Sequence, residues 1–326
     1  MGVMKTTFYI ATNNPLKKAK TRLASAVAFC QGQPGECRMG WMGYLFMLLA
    51  AASWALIGPV SRVAQAAGLS PVEVAFWRAL IGGTFFAVHA LARGQRPPRG
   101  RDLGGALLFG LAGVSLFYLS YQLAVAYGGA ALAAVLLYTA PAWVVAGSFV
   151  FLRQPVSGGQ LALVVLTLVG VLLLSWPQQG FRVSAAGIGW GLLSGLTYAL
   201  YYIYGKLQFT RYEPTVLFAL ALPVGALGLL PWVGFAPKTA IVWLALLVLS
   251  FVSTYLAYWF YSLGLRRLDA TRAALVATLE PVLASLLAFV WWGERFSPLG
   301  YLGAAAIVLA VVASALEPGL NRRRRA

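Results

Sequence analysis

Ionisable side chains inside long apolar segments are the residues of this sequence most able to do chemistry. Three of them stand out, namely Glu73, Arg78 and Glu280. A charged group near the middle of a membrane helix costs about 2.5–3.5 kcal/mol on insertion scales, so it usually faces a cavity or a partner and marks function. The guanidinium of Arg78 suits a carboxylate. That carboxylate would belong to a bound solute or to a neighbouring glutamate, so both a binding or gating role and a static ion pair stay open.

Glu280 stands directly before a proline. A carboxyl group buried in a membrane can take up and release a proton as its surroundings change, which makes Glu280 our candidate for proton coupling. The alternative is a carboxyl that caps a broken helix, because proline removes one backbone hydrogen bond and frees the carbonyl four residues earlier. We predict helix breaks at Pro59, Pro141, Pro223 and Pro281.

Aromatic side chains recur on single helix faces in the same apolar segments, at the i, i+3, i+4 spacing. A cavity walled by tyrosine, tryptophan and glutamine would bind a solute that is partly apolar and partly polar. Enrichment of these residues at membrane interfaces is the competing explanation. The predicted solute-binding or gating residues are Trp54, Arg78, Tyr118, Tyr121, Gln122, Tyr138, Tyr198, Tyr202, Tyr258 and Trp259.

The elements that must position these residues are membrane helices. The chain of 326 residues is 60% hydrophobic and only 10% charged, whereas soluble proteins are about 25% charged. A membrane helix needs about 20 apolar residues. Ten such segments are present, at 42–61, 72–92, 103–125, 130–152, 158–176, 185–205, 214–234, 239–263, 270–292 and 298–316. The sequence therefore predicts an all-α membrane protein with ten transmembrane helices.

The excess of basic residues indicates topology. A net charge of +17 could suggest nucleic-acid binding, but such proteins gather lysine and arginine on one face. Here the basic residues fall in the tails and in short gaps, and 20 of the 25 lie on one side if the N-terminus is cytoplasmic. Only Arg62, Arg182, Lys238 and Arg295 then lie outside. We predict a multi-pass protein of the cytoplasmic membrane with both termini inside, and the lipid bilayer rather than nucleic acid as its surroundings.

The two halves of the chain are similar to each other. From Tyr121 onward, an ungapped offset of 140 residues pairs Tyr121 with Tyr261 and Pro141 with Pro281. Each half, 42–176 and 185–316, holds five predicted spans, and an odd number turns the second copy over. The sequence therefore predicts two inverted five-helix repeats with a shared site near mid-membrane. Residues 1–40 are expected to be a disordered cytoplasmic tail or an over-called start, and residues 317–326 a basic cytoplasmic tail.

Several short motifs resemble one family. Leu279-Glu280-Pro281 followed by Trp292-Gly293-Glu294 resembles the C-terminal signature of EamA-type members of the drug/metabolite transporter superfamily, and Ser53-Trp54 and Phe76-Trp77-Arg78 resemble its N-terminal pattern. The resemblance covers residues 42–316. It implies a ten-helix carrier, proton-coupled or exchanging, that often exports amino acids or other small metabolites. The first repeat has Ala140 and Gln154 where the second has Glu280 and Glu294, so a function of those carboxylates should be asymmetric.

We therefore predict a secondary transporter that exports a small metabolite, such as an amino acid or an amphipathic aromatic compound, by alternating access. An uptake carrier of the same fold stays open, as does a non-transporting membrane protein such as a lipid-handling factor or a sensor. The sequence carries no nucleotide-binding, hydrolase or metalloprotease motif, and Cys30 and Cys37 make a poor metal site. We expect no enzyme activity, no cofactor and no metal, a small molecule as partner, and leave a homodimer open.

Overall fold

The computed structural model describes residues 34–177, 180–181 and 183–317. The predicted tails therefore lie almost wholly outside the described residues. In the part that is described, short turns separate α-helices with the following bounds: α1 Pro34–Ala55, α2 Ile57–Ala66, α3 Pro71–Ala92, α4 Arg101–Phe109, α5 Phe117–Leu137, α6 Ala140–Val150, α7 Gly158–Leu174, α8 Ala185–Gln208, α9 Pro214–Leu229, α10 Ala240–Ser250, α11 Ala257–Arg267, α12 Ala270–Ala277, α13 Glu280–Trp292 and α14 Pro298–Leu316. A 3₁₀ turn follows α9 at Leu230–Trp232, and π-helical segments join α4 to α5 and α10 to α11.

Seven helical stretches within these ranges are long and apolar enough to cross a membrane: Trp41–Ala66, Pro71–Ala92, Arg101–Leu137, Pro214–Trp232, Ala240–Arg267, Ala270–Trp292 and Pro298–Leu316. Two shorter apolar helices, α6 and α7, complete the first half. The 37-residue stretch Arg101–Leu137 covers all of one predicted span and part of the next. It kinks at Gly129, where φ is 81° and ψ is 162°, and the predicted boundary between those spans falls at the same glycine. The described chain is thus a multi-pass bundle of apolar helices.

Three of the four predicted proline breaks coincide with interrupted helices. A one-residue turn separates α1 from α2 just before Pro59, and two-residue turns separate α5 from α6 and α12 from α13 just before Pro141 and Pro281. At each of the latter two turns, a threonine hydroxyl donates at 2.6 Å to the carbonyl three residues earlier, which also accepts from the backbone N–H of the same threonine.

The predicted break at Pro223 is wrong. Pro223 lies inside the continuous helix α9. Its ring sits against Gly83 of α3, where any Cβ would come within 2.6 Å of it. The absence of a side chain at Gly83 leaves room for the ring, and α9 continues through Pro223.

Helix boundaries recur at the spacing of the sequence repeat. The starts of α6 and α13 are 140 residues apart, as are the starts of α7 and α14. Both α7 and α14 begin with a serine cap, Ser157 or Ser297, whose hydroxyl accepts from the backbone N–H three residues later. The π-helical segments Gly110–Leu116 and Phe251–Leu256 also occupy matching positions. The two halves therefore share their local irregularities as well as their helices.

The helices pair across the two halves. α3 packs along α9 and α7 along α14, while α5 packs along α8 and α1 along α11. If matching helices of the two halves are exchanged, the pair α5–α8 becomes the pair α1–α11. The pairs α3–α9 and α7–α14 are unchanged. The core lies where these pairs meet and includes many aromatic side chains, of which Phe86, Tyr202, Phe218 and Tyr261 are almost completely buried. This is the region that holds most of the predicted site residues.

Candidate functional site

Arg78 lies in the middle of the bundle. Its side chain is 5% exposed, and its guanidinium lies 5.7 Å from the ring centre of Tyr118. One Nη atom donates to the backbone carbonyl of Ser253 at 3.5 Å. Within the described residues, Nε of Arg78 and the hydroxyl of Ser253 are both buried without a hydrogen-bond partner. The site thus presents unused polar atoms in an apolar setting, where such atoms are costly unless a ligand or water meets them.

The carbonyl that Arg78 contacts belongs to a π-helical segment. Ser253 lies within Phe251–Leu256, and π-helical turns interrupt the regular backbone hydrogen bonding of a helix and are frequent at functional sites. The segment therefore turns a backbone carbonyl of α10–α11 toward the buried cation. Sequence reasoning missed Ser253, because a lone serine in an apolar segment gives no signal of this geometry.

Glu280 is the first residue of α13 and is half-buried. The hydroxyl of Tyr138, at the break between α5 and α6, lies near its carboxyl group. Tyr121, Tyr198 and Tyr202 lie close enough for the charge of Glu280 to act on their hydroxyls. Four predicted aromatic residues therefore surround the predicted proton-coupling residue.

A chain of tyrosines joins the surroundings of Glu280 to those of Arg78. The hydroxyl of Tyr202 donates to that of Tyr198 at 3.4 Å, and the rings of Tyr198 and Tyr201 are 6.1 Å apart. The hydroxyl of Tyr258 donates to that of Tyr201 at 3.4 Å. Arg78 is close enough to Glu280 for their charges to interact, yet no ion pair found in the described part of the chain includes either residue. A static ion pair between them is therefore absent from this conformation.

Trp54 belongs to the same cluster. It is 5% exposed, and its ring lies 5.9 Å from those of Tyr258 and Tyr261. Tyr261 was not among the predicted site residues, although the sequence repeat pairs it with Tyr121. Its hydroxyl donates to the backbone carbonyl of Tyr201 at 2.7 Å, so it fixes the position of α8 behind the cluster.

One predicted residue lies apart from this arrangement. Trp259 is 36% exposed and packs against His89 with 6.2 Å between ring centres, toward the end of α3 that is predicted to be cytoplasmic. Gln122 follows Tyr121 in α5 and is half-buried. The structure therefore gathers eight of the ten predicted binding or gating residues, with Glu280, and leaves Trp259 outside.

Glu73, the third ionisable candidate, belongs to a different feature. It is fully buried, and Lys238 lies 2.5 Å from its Oε1 atom with only 8% of the lysine side chain exposed. The carboxylate also accepts from the indole N–H of Trp77 and the backbone N–H of Ala236. The ammonium stands over the rings of Trp77, Phe235 and Trp243. This compensated pair ties α3 to the loop before α10, and we assign it a structural role.

Ion pairs between the halves lie at both ends of the bundle. At one end Arg62 pairs with Glu294 and Glu73 with Lys238. At the other end Arg211 pairs with Asp102. The hydroxyl of Tyr212 also donates to Asp102 there, at 2.7 Å, and this hydrogen bond raises the pKa of the phenol. Partners at each end are residues that the sequence places on the same side of the membrane.

The two ends differ in how tightly their helices pack. A cavity of about 210 Å³ lies between α2 and α13, lined by Gly58, Pro59, Arg62, Ala284, Ser285, Ala288, Trp292 and Glu294. In the first half, Val144 and Ser148 of α6 correspond to Ala284 and Ala288, and they are 0% and 1% exposed. Any Cβ at Gly147 would come within 2.8 Å of Ile203 in α8. The pair α2 and α13, at the end that is predicted to lie outside, is therefore parted. The matching pair α6 and α8, at the other end, is closed.

Comparison with known proteins gives consistent results over most of the chain. The family model described as "EamA-like transporter family" matches twice, at residues 41–176 and 185–316. An uncharacterized transporter of Archaeoglobus fulgidus is 28% identical over 79% of this chain and 91% of its own length. The uncharacterized transporter YwfM of Bacillus subtilis is 27% identical over 84% and 94%. A probable terminal-alkyne amino-acid exporter of Streptantibioticus cattleyicolor is 25% identical over 86% and 95%.

A solved crystal structure of another protein has the same fold. It superposes with a TM-score of 0.73 at 21% identity, and the superposition covers 87% of this chain and 99% of the other.

Proposed function

This chain belongs to the EamA-like transporter family, and we propose that it is a secondary carrier that exports a small metabolite across the cytoplasmic membrane by alternating access. The observation that carries the proposal is the central cluster. Two ionisable side chains, Arg78 and Glu280, lie in one aromatic site that both halves build, close enough for their charges to interact. No ion pair in the described part of the chain includes either of them. Charge held this way inside a membrane protein is costly and is typical of solute and ion pathways.

The proposed architecture is ten membrane helices in two inverted repeats, with both termini cytoplasmic. Helix boundaries that recur 140 residues apart support it, as does a pattern of helix pairs that exchange of the halves preserves. The cross-half ion pairs join residues that this topology places on one side of the membrane. Carriers of this design bind their solute near mid-membrane between the repeats, and we propose that position for the cluster of Arg78 and Glu280.

The proposed solute carries a carboxylate and an apolar body. Arg78 offers a fork of donors whose Nε atom is unused, and such a fork binds carboxylates in two parallel hydrogen bonds. The surrounding tyrosines supply apolar faces and hydroxyls that orient a solute of mixed character. The relative from Streptantibioticus cattleyicolor, described as a probable amino-acid exporter, is consistent with this class.

Glu280 is the proposed proton site. In its neutral form the carboxyl can donate to a neighbour, and in its ionised form it can only accept. Loss of the proton would therefore change how the carboxyl group interacts with the nearby hydroxyl of Tyr138, which lies at the turn that joins α5 to α6. Protonation of Glu280 in α13 would in this way affect α6, the corresponding helix of the other half.

The structure corresponds to an outward-open state in this scheme. The groove between α2 and α13 is open, while the matching pair α6 and α8 is closed at Val144 and Ser148. Two copies of one unit that adopt different packing can exchange their conformations, which opens the site to each side in turn. This asymmetry is the expected starting point of an export cycle that has just released its solute.

Flux in proteoliposomes tests the proposal. Purified protein is reconstituted, and efflux of radiolabelled amino acids and aromatic carboxylates is followed beside scrambling of a fluorescent phospholipid. A carrier moves at least one solute class faster than protein-free liposomes, and the Arg78→Gln variant abolishes that movement. Lipid scrambling without solute flux would contradict the proposal and favour a lipid-handling factor, and flux that needs an inward solute gradient would favour uptake.

A further inference from the structure

We propose that the groove between α2 and α13 is a second solute-binding site, at the outer end of the bundle and selective for small zwitterions that carry both a carboxylate and an ammonium group. Its place on a transport route rests on the proposed function, but its ability to bind does not. The groove residues come from both halves and are distinct from the central aromatic cluster.

Small side chains create the space. Ala284, Ala288 and Trp292 recur at intervals of four residues and so share one face of α13. Across the groove, Gly58 has no atom within 4 Å of the position that a Cβ would occupy. The resulting volume of about 210 Å³ is below the roughly 300–1,000 Å³ of sites for drug-sized ligands. It suits a solute of amino-acid size.

The two charges of the groove match those of a zwitterion. Nη1 of Arg62 lies 2.8 Å from Oε1 of Glu294, and the two side chains are 54% and 50% exposed. A pair this exposed is screened by water and contributes little to stability, so a ligand can replace it easily. A ligand carboxylate would take the guanidinium and its ammonium the glutamate. A ligand with one charge would leave one partner without a counter-charge.

Trp292 completes the site. The guanidinium of Arg62 stands 4.7 Å from the centre of its ring, which holds the arginine over an apolar surface that a ligand side chain can share. Glu280 lies one turn before Ala284, on the same face of α13. This face therefore leads from the groove toward the central cluster. A solute in the groove would therefore lie on the route between the outer surface and the central cluster.

Protection from thiol labelling tests the site. Cys30 and Cys37 are first replaced by serine, and Ala288→Cys is labelled in intact cells with a membrane-impermeant maleimide. The probes are leucine, leucine amide and N-acetylleucine, which are similar in size but differ in charge. At four times its dissociation constant, leucine should slow labelling about fivefold, from the factor 1 + [L]/Kd, and the two derivatives should leave the rate nearly unchanged. Thr239→Cys, exposed at the same end and outside the groove, is the control whose rate leucine should not alter.

Charge variants make the test specific. Arg62→Gln should remove the protection, and the exchanged pair Arg62→Glu with Glu294→Arg should restore it. Equal protection by all three compounds, by none of them, or in the Arg62→Gln variant would overturn the site, as would an Ala288→Cys that does not react from outside. If solute flux is intact but leucine does not protect Ala288→Cys from labelling, only this site is refuted. If leucine protects and there is no flux, the site is supported and the proposed carrier is contradicted.

Discussion

The buried pair Glu73–Lys238 permits a quantitative prediction. At 2.5 Å, two unit charges attract by about 7 kcal/mol with an effective dielectric constant of about 20. The desolvation of two buried ions costs several kcal/mol each and cancels most of that gain, but removal of one partner leaves a buried charge uncompensated, at a cost of about 3–5 kcal/mol. We therefore expect Glu73→Gln and Lys238→Met each to destabilise the protein within that range.

The surroundings refine the order of the two variants. In Glu73→Gln, the ammonium keeps the Ala236 carbonyl at 2.8 Å and three aromatic faces, so this variant should lie near 3 kcal/mol. In the double variant neither charge remains, and stability should return to within about 2 kcal/mol of the wild type. The coupling between the two positions should then be about 4 kcal/mol or more.

Equilibrium unfolding in mixed detergent–SDS micelles, followed by tryptophan fluorescence, measures these free energies. The exposed pair Arg62–Glu294 is the matched control, and its neutralisation to glutamine at both positions should cost no more than about 1 kcal/mol. Additive losses in the Glu73 and Lys238 double variant, or single losses below those of the control, would refute the assignment of a compensated buried pair.

Three further predictions concern the cluster and the packing. Glu280→Gln should abolish the dependence of flux on a pH gradient, whereas Glu213→Gln, which changes an exposed glutamate paired with Arg266, should retain it; coupling that survives in Glu280→Gln would refute the proton site. Arg78→Lys keeps the charge but loses the fork, so solute affinity should fall about tenfold, or about 1.4 kcal/mol, and an unchanged apparent affinity would count against carboxylate binding. Gly225→Ala should destabilise by about 1–3 kcal/mol, because its methyl group would overlap Val114, whereas Gly104→Ala, which has open space, should stabilise the helix slightly.

Several features of the site could be predicted from sequence because the type of a residue alone limits where its side chain can lie. An arginine or glutamate in an apolar span usually faces protein or a cavity, and this predicted that Arg78 and Glu280 belong to the site. Tyrosines at helical spacing share a face, and Tyr198 and Tyr202 do lie together beside Glu280. The same reasoning failed for Trp259, since helical spacing fixes a face only to within a wide angle and a neighbouring residue can point to lipid.

Features that depend on pairing between distant segments could not be predicted. Glu73 and Lys238 are more than 160 residues apart in the chain, and nothing in either local sequence indicates that they meet. Pro223 illustrates the opposite case, because a proline is a strong local signal, yet α9 continues through it where it packs against Gly83. In both cases the neighbouring segment comes from the other half of the chain.

Reciprocal accessibility of the two matching helix pairs tests alternating access most directly. Gly147→Leu forces a side chain against Ile203 and should part α6 from α8. In cysteine-free protein that carries Ser148→Cys or Ala288→Cys, this wedge is predicted to raise the labelling rate of position 148 from the cytoplasmic side and to lower that of position 288 from outside. A rise at position 148 with no fall at position 288, or rates that change in the same direction, would contradict the account.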